Sequence, residues 1–236
     1  MKSVSYLLAA GAALTLSPGT SQSAKADYFE FLNANGSNSV HITYNNGTSN
    51  ENALAGAYNI QIGTTVTTGF CTAVRNNITN NDSTNSATYW NDINSSPLTS
   101  VSYNAVNNSH SQIQNEQAAA WVTKNYLHGS STDQTSAALA IWDIINDGGD
   151  GVTVGNFRIL SDSSSYQLGA QSIIDLAYGH GNVTNVAWEQ TPKDSTADGA
   201  KYQDFAIDPI PEPAFYQMGA FLTGGGLLAL RLRKRK

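Results

Sequence analysis

The chain contains a single cysteine, Cys71, among its 236 residues. One thiol excludes a scaffold of internal disulfides, and it also excludes zinc or iron–sulfur sites that need several cysteine ligands. Charged residues make up only 13% of the chain, which is about half the usual share. Disorder driven by charge repulsion is therefore excluded as well, and the 40% of apolar residues can form a core.

Basic residues are scarce away from the two ends of the chain. Of the 12 lysines and arginines, seven lie in residues 1–26 and 231–236, whereas all 18 acidic residues lie between these segments. A nucleic-acid partner requires a basic surface that neutralises phosphates. The central part of the chain is strongly acidic, so this class of partner is excluded.

The N-terminal segment, residues 1–26, has the pattern of a secretory signal peptide. Lys2 provides a positive start, an apolar run follows, and the small residues Ala24 and Ala26 mark a cleavage site. The sequence therefore predicts export and a mature chain that begins near Asp27.

The C-terminal segment, residues 211–236, has three parts in a fixed order. Pro211, Glu212 and Pro213 come first, and an uncharged stretch of seventeen residues follows over 214–230. The chain then ends in a basic stop made of Arg231, Arg233, Lys234, Arg235 and Lys236. Seventeen helical residues span about 25 Å, so the stretch predicts a transmembrane helix whose basic end stays in the cytoplasm.

This order resembles the PEP-CTERM sorting signal of Gram-negative bacteria. The resemblance implies that an exosortase-type sorting enzyme is a partner and that the C-terminal helix is a transient inner-membrane anchor. It also implies release to the cell surface or to an extracellular biofilm matrix. The signal is an address, and it leaves the activity of residues 27–208 open.

The sequence predicts that residues 27–208 form one α+β domain. Alternating apolar and polar residues predict strands over 28–32, 40–44, 58–62, 64–74, 101–103, 183–190 and 202–207, and a polar loop over 76–96. Helical patterns predict three helices over 111–127, 134–146 and 163–178. Strands, then helices, then strands favour an antiparallel β-sheet or barrel with an inserted segment of about three helices.

The second predicted helix has the clearest pattern of the three. Apolar residues recur at helical spacing as Ala137, Ala140, Ile141, Ile144 and Ile145, which predicts a buried stripe on one face. Thr132 is the expected N-cap of this helix.

The segment Phe70-Cys71-Thr72-Ala73, followed by the helical segment that ends at Trp142, resembles bacterial thioester domains of surface adhesins over about 58–207. The resemblance implies a cysteine at the end of a strand that is joined, through a thioester, to a glutamine four residues before a tryptophan. It also implies that this thioester acylates amines on a target surface. Here Ala138 stands at the glutamine position. We therefore expect a thioester-domain-like fold in which Cys71 forms no thioester.

Two glutamines keep the covalent alternative open. Gln134 lies one helical turn before Ala138, about 6 Å along the axis. Gln117 has the expected spacing to Trp121, but it belongs to the preceding helix. Either residue would be the acyl donor if Cys71 does form a thioester.

Other acidic and aromatic residues carry weaker patterns. Asp143, Asp147 and Asp150 are oxygen ligands of the kind that Ca²⁺ prefers, but their spacing does not match an EF-hand. A helix end followed by a polar turn explains them better, so no metal and no cofactor are assigned. Glu116 with Asp143 is a conceivable carboxylate pair for glycoside hydrolysis, and surface acids are the simpler interpretation.

Trp121 and Trp142 lie at comparable points of two neighbouring predicted helices. They suit a sugar-binding platform, although an aromatic core between the helices is the favoured interpretation. The four histidines are dispersed and none forms a metal-binding pair on a helix.

These features favour an exported cell-surface or extracellular-matrix protein with a structural or adhesive role. No catalytic residue is assigned. The first alternative is a covalent adhesin with a Cys–Gln thioester. The second is a carbohydrate-active enzyme or a sugar-binding protein, for which a surface or matrix polysaccharide would be the partner.

Overall fold

A computed structural model of the chain describes residues 28–44, 49–72, 74, 83–84, 88–90, 110–180, 183, 186–190 and 204–208. Its strands are β1 (Phe29–Tyr44), β2 (Ser49–Ile62), β3 (Thr65–Cys71), β4 (Ser83–Thr84), β5 (Thr88–Trp90), β6 (Arg158–Ile159), β7 (Ala187–Gln190) and β8 (Phe205–Ile207). Its helices are α1 (Gln112–Tyr126), α2 (Ser131–Asp147) and α3 (Ser164–Ala177). The predicted α+β class, with three helices inserted between strands, is confirmed.

Several predicted features lie outside the described residues. They are the signal segment 1–26, the sorting segment 211–236 with its motif at 211–213, and the strand expected over 101–103. None of the described helices combines the length and the apolar character that a membrane span requires. The span predicted over 214–230 is not among those helices.

The strands form one antiparallel sheet in the order β4-β1-β2-β3-β8-β7-β5, with β6 added beside β1. The first three strands follow one another as a meander. The last two, β7 and β8, then pair beside β3, so that Cys71 lies opposite Phe205. The segment expected to be a polar loop over 76–96 contributes the two short strands β4 and β5.

The structure joins two predicted strands into the single strand β1. The residues between them are polar, and the pairing with β2 shifts register there, between Phe31 and Asn33 and between Asn35 and Asn38. Such bulges interrupt the alternation of apolar residues without ending the strand. The sequence pattern therefore indicated two strands where the backbone forms one.

Both faces of the sheet are buried, each by a separate apolar cluster. One face packs against the helices and forms the helix-side core, to which Ile42, Ala57, Phe70, Trp188 and Ala206 belong. The other face carries a cluster that we call the concave cluster. Its buried residues are Phe29, Phe31, Tyr58, Ile60, Ile62, Cys71, Ala187, Phe205 and Ile207. Neighbouring residues such as Phe70 and Cys71 separate onto opposite faces because side chains alternate along a strand.

Ring contacts within the concave cluster show that the sheet is curled. Phe29 on β1 and Phe205 on β8 are separated by two intervening strands, which corresponds to about 14 Å across a flat sheet. Their ring centroids nevertheless lie 5.6 Å apart. The sheet must therefore bend toward this cluster into a half-barrel, and the helices lie on its convex side.

Helix α2 lies at the centre of the helical layer. It packs against β1 and β2 on one side and against α1 and α3 on the other. Consequently its residues from Gln134 to Ile145 are all buried, whereas the periodicity predicted one buried stripe. Its N-cap is Ser130, which forms a capping box with Asp133, so the predicted cap Thr132 is wrong by two residues.

Candidate functional site

Cys71 is fully buried at the end of β3, and its side chain belongs to the concave cluster. Its backbone carbonyl accepts a hydrogen bond of 3.0 Å from Trp142 Nε1 on α2. Burial, followed by charge on the nearby Cys71, raises the pKa of Tyr58 above its usual range. Cys71 therefore contacts the predicted Trp142 region through its backbone, while its side chain lies among the aromatic residues of the half-barrel.

The two candidate acyl donors lie on helices of the convex side. Gln134 is in the first turn of α2, where its Nε2 donates a hydrogen bond of 2.7 Å to the carbonyl of Leu127. It precedes Trp142 by eight residues, or about 12 Å along the helix axis. Gln117 is half-buried on α1, next to alanines of the helix-side core. The sheet therefore separates the face that carries the Cys71 side chain from the helices that carry both glutamines.

The two tryptophans do not form a shared platform. Trp142 is 2% exposed, and it packs edge-on against Phe157 with ring centroids 6.1 Å apart. Trp121 is half-buried and stacks on His180 at a centroid distance of 4.4 Å. The favoured interpretation as core aromatics is confirmed for Trp142, whose ring no sugar could cover.

Three carboxylates converge where α2 ends. Asp143 and Asp147 are one helical turn apart, and Asp150 follows in the next loop; one oxygen from each lies within 4.8 Å of the others. Asp143 and Asp147 are both 0% exposed, and Asp150 is half-buried. We call these three residues the aspartate cluster. Glu116 on α1 is 1% exposed and accepts a hydrogen bond from Gln112. The interpretation of Glu116 and Asp143 as surface acids is therefore wrong, because both side chains are buried. The charges that raise the pKa of Asp143 are those of Asp150 and Asp147.

The loop after α2 wraps the aspartate cluster. The Gly151 N–H donates to Asp143 Oδ2 at 3.3 Å, and the Phe157 N–H donates to Asp147 Oδ2. At Gly155, φ is +79°, and a Cβ there would lie 2.6 Å from oxygens of both Asp147 and Asp150. Glycine is required at this position, because the carboxylates occupy the space that any side chain would need.

The same loop is joined to the other two helices through Gly148. This residue ends α2 in the left-handed region, with φ of 74°. Its carbonyl accepts a hydrogen bond of 2.8 Å from Tyr178 Oη, which also bonds Asn115 on α1. His110 stacks on the Tyr178 ring at 3.8 Å. The ends of all three helices therefore meet beside the aspartate cluster.

Burial and mutual repulsion make the cluster costly to ionise. Burial raises the pKa of Asp143 well above its usual range, and the charges of Asp150 and Asp147 add to this effect. Burial, and then the charge of Asp147, raises the pKa of Asp150 from its ordinary 3.8 to about 6. A bound proton or a bound cation therefore stabilises the site relative to three free carboxylates.

A dependence of stability on pH follows for protein kept in EDTA. The folded-state pKa of Asp150 is above its unfolded value, so its proton stabilises the folded chain. This contribution is complete below pH 3.8 and is lost as the pH rises through about 6. Thermal melts across this range should therefore show the wild type losing stability relative to Asp150→Asn, which cannot ionise. A difference between the two proteins that does not change with pH would contradict the pKa assignment.

The sequence contained an indication of this site, although the spacing of the three acids matches no EF-hand loop. Asp143 and Asp147 place two acids in the last turns of a helix, where the backbone already carries partial negative charge. Asp150 and Gly155 then join them through a glycine-rich loop. The interpretation as a helix end followed by a polar turn is correct as far as it goes, and the convergence of the three side chains adds a candidate metal centre to it.

No protein-family model, no curated protein and no solved structure matches the chain significantly.

Proposed function

We propose that the chain is an exported protein of the cell surface or extracellular matrix, with a structural or adhesive role and without catalysis. The observation that carries this proposal is the order of Pro211, Glu212 and Pro213, the uncharged stretch 214–230 and the basic tail. An apolar span that a basic cluster stops suits temporary retention in the inner membrane. An exosortase-type enzyme is then the partner that releases the protein.

The position of Cys71 favours adhesion without a covalent bond. A thioester requires the glutamine carbonyl at bonding distance from the sulfur. The Cys71 side chain lies in the concave cluster. The Gln134 amide is hydrogen-bonded in the first turn of α2, about 12 Å along the helix axis from Trp142, which bonds the Cys71 carbonyl. Breaking that amide hydrogen bond and moving α2 would both be needed before the two groups could meet.

An intact-mass measurement on protein recovered from the surface of its host tests the proposal. We expect a chain that begins near Asp27, ends close to Pro211 and has the mass of an unmodified thiol and amides. Recovery of a chain that still ends in Lys236 outside the cell would contradict sorting. A mass lower by one ammonia would instead support the covalent adhesin.

The variant Cys71→Ala is the matched control for the mass measurement. It cannot form a thioester, so an ammonia deficit that results from that bond must disappear in it. If wild type and variant differ only by the mass of the substituted side chain, Cys71 forms no thioester in the mature protein.

A further inference from the structure

The aspartate cluster lies at the end of a helix that is least suited to negative charge. The unpaired carbonyls at a helix C-terminus give that end a partial negative charge, which repels carboxylates and attracts cations. Helix α2 has no basic residue in its last turn, yet Asp143 and Asp147 both lie near this end and Asp150 follows it. The arrangement therefore favours either a proton on one carboxyl group or a cation that does not come from the last turn of α2.

Asp143 gives an independent indication that a ligand belongs here. Its side chain is 0% exposed, and only Oδ2 is hydrogen-bonded, to the Gly151 N–H. Among the described residues, Asp143 Oδ1 has no hydrogen-bond partner. Leaving a buried carboxylate oxygen without a hydrogen-bond partner costs free energy. The Asp143 side chain that carries this oxygen lies beside the carboxylates of Asp147 and Asp150.

We propose that Asp143, Asp147 and Asp150 bind a calcium ion at the C-terminal end of α2. Carboxylate oxygens are the ligands that Ca²⁺ prefers. Two oxygens on one ion are separated by at most twice the metal–oxygen distance, or about 4.6–5.2 Å for Ca²⁺ and about 4.0–4.2 Å for Mg²⁺. The three carboxylate oxygens lie within 4.8 Å of one another, a separation that one Ca²⁺ ion can span. Calcium is the preferred ion because Mg²⁺ usually keeps several waters and binds through one or two carboxylates, whereas Ca²⁺ accepts a larger set of protein oxygens.

The ion would reinforce the junction of the three helices. It would hold the end of α2 to the loop that contains Asp150, and the neighbouring Gly148 carbonyl already bonds Tyr178 from the end of α3. Calcium binding should therefore stabilise the whole helical layer. This role does not depend on where the protein is exported or what it adheres to.

The test uses the purified full-length chain, stripped of metal with EDTA and then dialysed. Thermal melts followed by circular dichroism, and calorimetric titration, are carried out with CaCl₂ and separately with MgCl₂ at neutral pH. We expect CaCl₂ to raise the melting temperature and to bind with a stoichiometry of one. MgCl₂ should produce a smaller rise. No calcium-dependent shift or heat, or a shift as large with MgCl₂, would overturn the assignment.

Variants at the site separate a bound cation from a shared proton. Asp143→Asn and Asp150→Asn keep the side-chain size and remove a charge, so in EDTA each should melt at or above the wild-type temperature. In CaCl₂ each should lose the calcium-dependent rise, with binding weakened at least roughly tenfold. A calcium-dependent rise that persists in both variants would overturn the proposal.

Asp208→Asn is the matched control. Asp208 is an exposed acid that contacts His128 at 2.6 Å, just beyond the C-terminal end of α1. The turn between α1 and α2 places this contact near the start of α2, about 18–24 Å along the helix axis from Asp143 and Asp147. This variant should retain the full calcium-dependent rise. Since Asp150 is only half-buried, Asp150→Asn also keeps the test decisive if Asp143→Asn does not fold.

Discussion

Ile141→Asp should destabilise the protein by roughly 4 kcal/mol or more, because it places an unpaired charge in a closed apolar environment. Ile141 is 0% exposed on α2 and belongs to the helix-side core. A loss of this size is a large part of the stability of an ordinary domain, so the variant should be mostly unfolded at physiological temperature.

Ile141→Val provides the matched comparison at the same position. It removes one methylene group and should cost about 0.5–1.5 kcal/mol. Urea unfolding followed by tryptophan fluorescence measures both variants, since Trp142 lies next to the site of substitution. Equal stabilities for the two variants would show that Ile141 does not face the core.

Phe205→Ala should cost roughly 3–5 kcal/mol, which is the usual range for deleting a buried aromatic ring. Phe205 is 0% exposed, and its ring lies 5.6 Å from Phe29 and 6.0 Å from Tyr58. These contacts join β1, β2 and β8 across the inside of the half-barrel. The cavity left by the substitution would loosen all three strands together.

Val66→Ala on β3 is the control for this second substitution. Val66 is 60% exposed, so truncating it should cost less than about 1 kcal/mol, mostly through strand propensity. Both variants are compared by chemical unfolding at one temperature. If Phe205→Ala were as mild as Val66→Ala, the concave cluster would not be a packed interior.

The first and last residues of the three helices were predicted to within three residues. Helix α1, expected over 111–127, spans Gln112–Tyr126, and α3, expected over 163–178, spans Ser164–Ala177. Helical hydrophobic spacing and the glycines that follow each helix are local features, so they are visible in the sequence. The extent of burial on α2 was underestimated, because a helix with neighbours on both sides has no solvent-exposed face to produce a polar stripe.

Strands were predicted less completely than helices. The register shifts in β1 concealed its continuity, and β4, β5 and β6 are two or three residues long. Such short strands lack the length over which alternation can be recognised. They exist because a partner strand from a distant part of the chain supplies their hydrogen bonds.

The sequence of this protein was sufficient to predict its class and its helices, while processing at both ends stays a prediction. These properties depend on residues that are near one another along the chain. The position of Cys71 inside the half-barrel, away from both glutamines, depends on how β3 pairs with β8, which lies more than a hundred residues later. The meeting of Asp150 with Asp143 and Asp147 likewise depends on a loop that Gly155 allows to fold back onto the helix end. The curvature of the sheet arises from pairing between strands that are distant in sequence. The convergence of the aspartates depends on the backbone path of one loop, which the spacing of residues does not specify.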